Sequence, residues 1–224
     1  MITKMNVQVS QNELDAAIAS IDYSWTKMSL NIPTGSFFYD PWVIKPEFKD
    51  TVWEKLLAYI PTDIGEARVI LLQPGHCYNS HADIDDRYHL NLTGNYSFLV
   101  DIDSQKMYKT VADGYWYSMD ASPRHSAVNY GEAIRVQLVV RKLLLANVLA
   151  DPIGVEISSD DSFTHSRYVF DDTISQWLNL ATKRKILSNF EVLPGANTVR
   201  FKIEKNSLSE LEKIIPPKFK LGIL

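Results

Sequence analysis

The chain contains a single cysteine, Cys77, so no internal disulfide can form, and the sequence fits a reducing cytoplasm. No Lys/Arg-rich run is present and the net charge is −4, which excludes an overall attraction to nucleic acid or to an anionic membrane. The longest apolar stretch, around Leu143 to Leu149, is too short to span a bilayer and reads as buried structure. The N-terminus runs from Met1 into polar residues without the apolar core of a signal peptide. Asn91-Leu92-Thr93 and Asn95-Tyr96-Ser97 match the glycosylation pattern, but without an export signal they read as chance. There is no internal repeat and no low-complexity segment.

What is present is an ordinary globular composition, 46% hydrophobic and 22% charged over 224 residues, enough for one substantial core with an appendage. The first sixty residues read as helical, with an aromatic loop between two helices. Ser10 and Glu13 have capping-box spacing ahead of Leu14, Ala17, Ile18 and Ile21. A second helix is expected from Pro46, with Val52, Trp53, Leu56, Leu57 and Ile60 as its apolar stripe and Pro61 as its stop. Tyr23, Trp25, Phe37, Phe38, Tyr39 and Trp42 read as core in preference to a substrate lid.

From Glu66 the pattern changes to strands. The segments 68–72, 88–92, 96–102, 107–111, 115–119, 126–130 and 134–140 are rich in β-branched and aromatic residues. Turn signals such as Pro74-Gly75, Asp113-Gly114 and Tyr130-Gly131 separate them. Seven or eight short strands at this spacing predict a sandwich or jelly roll, mainly β with flanking helices.

Beyond Lys142, Asp151 to Gly154 and Ser158 to Ser162 read as turn and loop. A helix after Asp171-Asp172 carries Ile174, Trp177, Leu178 and Ala181; Thr198 to Ile203 reads as a strand; and Ser207 with Glu210 repeats the capping box. The resulting organisation is a helical flank over 1–65, a β core over 66–145, and an α/β extension over 146–224 expected to dock on that core.

Chemistry concentrates at His81-Ala82-Asp83, followed 44 residues later by His125. Residues i and i+2 of a strand share a face, so His81 and Asp83 can offer a nitrogen and a carboxylate oxygen to one ion. A histidine from a partner strand completes the two-histidine, one-carboxylate set, which leaves positions open for a chelating co-substrate and O₂. With five His and seventeen Asp in the chain, about 0.4 His-x-Asp tripeptides arise by chance, so the tripeptide alone decides little. Arg135 adds weight. It lies on the apolar segment 134–140, where an arginine is costly without an anionic partner, and its planar fork suits a carboxylate. An internal Asp or Glu is the alternative partner.

As an ordered set, Gln73-Pro74-Gly75, His81-Ala82-Asp83, Arg87-Tyr88-His89-Leu90, Asp113-Gly114-Tyr115-Trp116, Asp120, His125-Ser126-Ala127-Val128-Asn129 and Arg135 resemble the aspartyl/asparaginyl β-hydroxylase-like branch of the Fe(II)/2-oxoglutarate oxygenases. The same set is similar to certain free-proline hydroxylases. The resemblance covers residues 66–141, about a third of the chain. It implies a double-stranded β-helix, that is, a cupin-like jelly roll, with Fe(II) held by His81, Asp83 and His125. It also implies that Arg135 takes the distal carboxylate of 2-oxoglutarate and that Arg87 and His89 face its metal-proximal carboxylate. Some members carry a serine on the strand before Pro-Gly, where this chain has Ile70. The activity implied is hydroxylation of an unactivated C–H bond, with O₂ consumed and succinate and CO₂ released. Asp83 favours hydroxylation, because halogenating relatives leave that coordination position to chloride.

The implied substrate is an amino-acid side chain, free or peptidyl. Asp85 and Asp86, read as facing solvent or flanking the substrate, tilt this toward a small molecule carrying an ammonium group. Two rivals stay open: a non-catalytic metal- or small-ligand-binding jelly roll, which leaves Arg135 unexplained, and a zinc hydrolase on the same ligands. Cys77 reads as a small buried hydrophobe. His76 and His165 have no partner at useful spacing and are given no role.

Overall fold

The computed structural model describes residues 1–61, 63–158, 172–193 and 198–224. The chain divides into two compact units, Met1–His81 with Asp85–Leu143, and Ala82–Ile84 with Leu144–Leu224.

In the first unit the elements run β1 (Ile2–Gln8), α1 (Gln11–Ala19), β2 (Lys27–Ser29), β3 (Asn31–Pro33), β4 (Trp42–Ile44), a 3₁₀ turn (Pro46–Phe48), α2 (Val52–Leu57) and β5 (Ile64–Leu72). There follow β6 (Arg87–Asn91), β7 (Ser97–Asp101), β8 (Lys106–Thr110), β9 (Tyr115–Met119), β10 (His125–Asn129) and β11 (Arg135–Lys142). Six strands form one antiparallel sheet in the order β1-β9-β6-β11-β5-β2, and three form a second in the order β10-β7-β8. This is the jelly-roll core the strand spacing predicts.

The larger sheet has two chemically different faces, because side chains alternate along each strand. Val136, Leu138 and Val140 of β11 join Ala67, Val69 and Leu71 of β5, Leu90 of β6 and Trp116 of β9 in one apolar cluster. Leu14 and Ala17 of α1 and Trp53 and Leu56 of α2 belong to the same cluster, so the helices cover this face. The Ser10–Glu13 capping box forms as the sequence predicts. The opposite face carries Arg135, Gln137, Val139 and Arg141 of β11, and in register with the last three stand Asn91, His89 and Arg87 of β6. Between the two sheets the apolar contribution is small: Leu99, Met119, Ala121 and Ala127, with Tyr78 and Tyr108 packed against them. The jelly-roll interior is therefore polar where the site lies.

The second unit is a four-stranded antiparallel sheet, β13 (Leu187–Leu193), β14 (Thr198–Glu204), β12 (Pro152–Ser158) and β15 (Lys220–Ile223) in that spatial order, with α3 (Asp172–Lys183) and α4 (Leu208–Ile214). Ile174, Leu178 and Ala181 of α3 are buried, and Trp177 lies 5.7 Å from the ring of Phe201. No helix among the described residues is long and apolar enough to cross a membrane.

Several sequence expectations are corrected. The first sixty residues are not helical throughout, since β1 pairs with β9 and β2 with β5, while β3 and β4 pair with each other. Pro46 opens only a 3₁₀ turn, and α2 starts afresh at Thr51, whose hydroxyl caps the Trp53 amide. Asp151 to Gly154 is not a turn: Pro152 is the first residue of β12, a position that proline tolerates. Residues 187–193 and 220–223 are strands that no alternation signal revealed. Ser207 makes no side-chain cap. Cys77 is exposed, as are Tyr23 and Trp25, so none of these three is core. The loop expected at Ser158 to Ser162 falls outside the described residues beyond Ser158, as does His165.

Candidate metal centre and anion pocket

His125 opens β10, and His81 faces it across an isolated antiparallel bridge. The bridge is doubly hydrogen-bonded, with His81 N to His125 O at 3.0 Å and His125 N to His81 O at 2.8 Å. The two rings consequently stand side by side, their centroids 4.5 Å apart. Asp83 joins them two residues along the chain. One ligand atom from each of His81, Asp83 and His125 can be chosen so that all lie within 4.8 Å of one another, which makes the three a group that could hold a metal ion.

The imidazoles are held in the tautomer that metal binding requires. His81 Nδ1 lies 2.9 Å from the Asn79 carbonyl oxygen, and His125 Nδ1 lies 2.9 Å from that of Pro123. A carbonyl can only accept, so each Nδ1 carries the proton and each Nε2 presents its lone pair. Carbonyl anchoring of this kind fixes ring orientation and raises ligand basicity. Asp83 is fixed through its backbone, since its carbonyl accepts from Asn179 Nδ2 of α3 at 3.3 Å.

Arg135 is 2% exposed on the inner face of β11. Its Nη2 donates to Gln137 Oε1, but Nε and Nη1 have no hydrogen-bond partner among the described residues. Burial pushes this guanidinium below its ordinary range, and the nearby Tyr78 phenol opposes the shift. A buried guanidinium with two donors lacking a partner among the described residues is a candidate seat for an anion. Gly94, at φ +103°, lets the backbone approach the Arg135 stem; a Cβ there would meet Arg135 Cβ at 3.3 Å.

Gln137 is a residue the sequence reading missed. It supports Arg135 through its oxygen, while its Nε2 donates to Asn91 Oδ1 at 2.6 Å and lies 3.3 Å from His89 Nδ1. With His89 Nδ1 accepting, the proton sits on Nε2, which becomes a donor. The signal available in the sequence was the i, i+2 spacing from Arg135.

Asp85 does not face solvent, and Asp86 does so only in part. Asp85 is 2% exposed and its carboxylate pairs with both Arg87 and Arg141. Asp86 is half-buried and accepts the Ala121 amide at 3.2 Å. Arg87 also donates to the Asp85 carbonyl oxygen at 2.8 Å, so its guanidinium shares its charge with Asp85. His76 is exposed, outside this constellation.

The fold is a jelly roll, its His81, Asp83 and His125 cluster is a candidate metal site, and Arg135 is buried on the inner face of the larger sheet. The model of the aspartyl/asparaginyl beta-hydroxylase family matches residues 3–143, well over half of the chain, and the chain belongs to that family. Membership of that family makes it an oxygenase. No curated protein matches the chain. Among solved structures, a prolyl-4-hydroxylase from Pseudomonas putida is 13% identical with a TM-score of 0.44, covering 62% of this chain and 90% of its own. A 2OG-Fe(II) oxygenase family oxidoreductase from Burkholderia pseudomallei is 13% identical with a TM-score of 0.43, covering 62% and 82%. A cupin domain from Bordetella pertussis is 15% identical with a TM-score of 0.32, covering 37% and 84%.

Proposed function

We propose that the protein is an Fe(II)- and 2-oxoglutarate-dependent dioxygenase that hydroxylates an unactivated C–H bond of an amino-acid side chain, free or peptidyl. The overall change consumes substrate, O₂ and 2-oxoglutarate and gives hydroxylated substrate, succinate and CO₂. The observation that carries this reading is the pairing of a compact His81, Asp83 and His125 cluster with Arg135, a buried guanidinium whose Nε and Nη1 have no partner among the described residues. A metal ligand set alone fits a sensor or a zinc hydrolase; an orphaned arginine in the same interior calls for an anionic co-substrate.

His81, Asp83 and His125 would hold the iron. The donor set fits it, with two imidazoles oriented by carbonyls and one carboxylate. Bound iron supplies O₂ activation and a chelation point for the 2-oxo acid. The chain's own residues do the remainder. Arg135 receives the distal carboxylate through its two unpaired donors. His89, with its proton on Nε2, and Arg87 line the path to the proximal carboxylate. Arg87 and Arg141 both pair with the carboxylate of Asp85. The metal at one end and Arg135 at the other would suit a dicarboxylate. The domain reading belongs to the same proposal: residues 66–145 as catalytic core, 1–65 as flank and 146–224 as extension.

With Asp85 committed inside the fold and Asp86 half-buried, the reason for favouring a small ammonium-bearing substrate falls away, and free and peptidyl substrates stand level. Anaerobic addition of Fe(II) and 2-oxoglutarate should give a weak visible charge-transfer band, followed in air by substrate-dependent succinate release from an amino-acid and peptide panel. Absence of the band with both components present at saturating concentration would sink the reading.

A further inference from the structure

The segment that carries Asp83 ends in a buried ion triad whose carboxylate, Asp85, touches neither metal nor co-substrate in the chemistry above. Asp85, Arg87 and Arg141 are 2%, 4% and 6% exposed. The Asp85 carboxylate pairs with Arg87 Nη1 on one side and with Arg141 on the other. Arg87 Nη1 turns back onto the Asp85 main-chain carbonyl at 2.8 Å. The Lys142 amide donates to the Asp86 carbonyl at 2.9 Å, and the Asp86 carboxylate accepts the Ala121 amide at 3.2 Å. Arg141 is itself packed, its guanidinium carbon lying 3.9 Å from the ring centre of Phe37 and 4.8 Å from that of Phe38. Residues 85–87 are thus tied to the end of β11, to the turn after β9 and to the aromatic loop.

We propose that Asp85 is a positioning residue: its buried carboxylate, clamped between Arg87 and Arg141, anchors the end of the metal-ligand segment and so sets where Asp83 presents its oxygen. The inference rests on the reading of Asp83 as an iron ligand. The physical reason is leverage. Asp83 lies two residues from both His81 and Asp85, so the placing of its side chain depends on both flanks as well as on the Asn179 contact to its carbonyl. The His81–His125 bridge fixes one end; the triad fixes the other. Two arginines around one buried carboxylate also make the anchor hard to release, because removing one member of a buried ion pair is strongly destabilising.

The test uses the full chain and Co(II) as an optical probe of the site, with no turnover involved. Asp83→Ala should abolish the Co(II) absorption of a three-ligand site. Asp85→Asn should keep the fold by circular dichroism yet bind Co(II) about tenfold more weakly, the lower end of what loss of a supporting contact costs a metal site. Asp85→Asn combined with Arg141→Met restores the charge count of the native triad, so its thermal midpoint should recover toward wild type while its Co(II) affinity stays low. A purely structural Asp85 predicts the reverse, with affinity restored along with stability. Wild-type Co(II) affinity in Asp85→Asn, or in the double variant should the single one not fold, overturns the proposal while leaving the ligand assignment standing. Wild-type affinity in Asp83→Ala overturns both.

Discussion

Arg135 and Gln137 stand two residues apart on the same face of β11, and the guanidinium donates one hydrogen bond to the amide oxygen while two of its nitrogens have no partner among the described residues. Gln137 thereby points the arginine without neutralising it. Arg135→Ala should weaken 2-oxoglutarate binding by about 2–5 kcal/mol, the usual cost of truncating one member of a buried charge pair. Arg135→Lys should recover only part, since an ammonium cannot form the two parallel bonds. Calorimetric titration with Co(II) in place checks both, and an unaltered 2-oxoglutarate affinity in the alanine variant removes Arg135 from the pocket.

Gln137→Leu tests the support. It preserves approximate volume but deprives Arg135, His89 and Asn91 of a shared partner. Leaving buried polar groups unsatisfied costs about 1–3 kcal/mol each, so both stability and 2-oxoglutarate affinity should fall. A variant that loses stability alone shows that Gln137 holds the fold and not the pocket.

His125→Ala should abolish substrate-dependent succinate formation and sharply weaken metal binding, because one of three protein ligands is lost and its bridge to His81 no longer presents a second imidazole. Metal content after equilibrium dialysis gives the answer independently of turnover. Near-normal iron retention would remove this histidine from the ligand set.

Glu66 provides a pH prediction away from the metal. Burial raises its pKa, but the charges of Arg68 and Lys27 outweigh that and hold it below its ordinary value of 4.5. A carboxyl depressed on folding contributes stability that is present above its unfolded pKa and lost as pH falls through the lower folded value. Glu66→Gln should therefore lower the thermal midpoint at neutral pH, with the gap to wild type closing as the solution is acidified below about pH 4.5. A gap that is constant down to strongly acidic solution contradicts the ion-pair origin.

The β core was legible in the sequence because its strands are short, strongly patterned and bounded by Gly and Pro. Segment 68–72 became β5 and segment 134–140 became β11, each within a few residues of its expected limits. The closeness of His81, Asp83 and His125 was expected from strand spacing, but only His125 lies in a strand; His81 sits on an isolated bridge and Asp83 in the segment that follows it. What escaped was set by pairing at a distance. β1 has no apolar alternation of its own to declare it, with only partial burial along Ile2–Gln8, and its partner β9 lies more than a hundred residues away. Asp85 escaped because a carboxylate beside another looks solvated in one dimension. Its burial follows from Arg141, which sits 56 residues on and becomes its neighbour only when β6 and β11 pair.

The large sheet separates cohesion from chemistry. Its helix-covered side holds Leu138, Val69, Trp116, Leu56 and their neighbours in one apolar cluster, whose burial favours folding and which lies on the face opposite Arg135 and Gln137. The interior side is released from the demand to be oily and can carry arginines, a histidine, a glutamine and an asparagine in register on adjoining strands. Such a sheet is adaptable in one direction only. Inner-face letters can be rewritten, one reagent's seat exchanged for another's, while the wall that bears them stays upright.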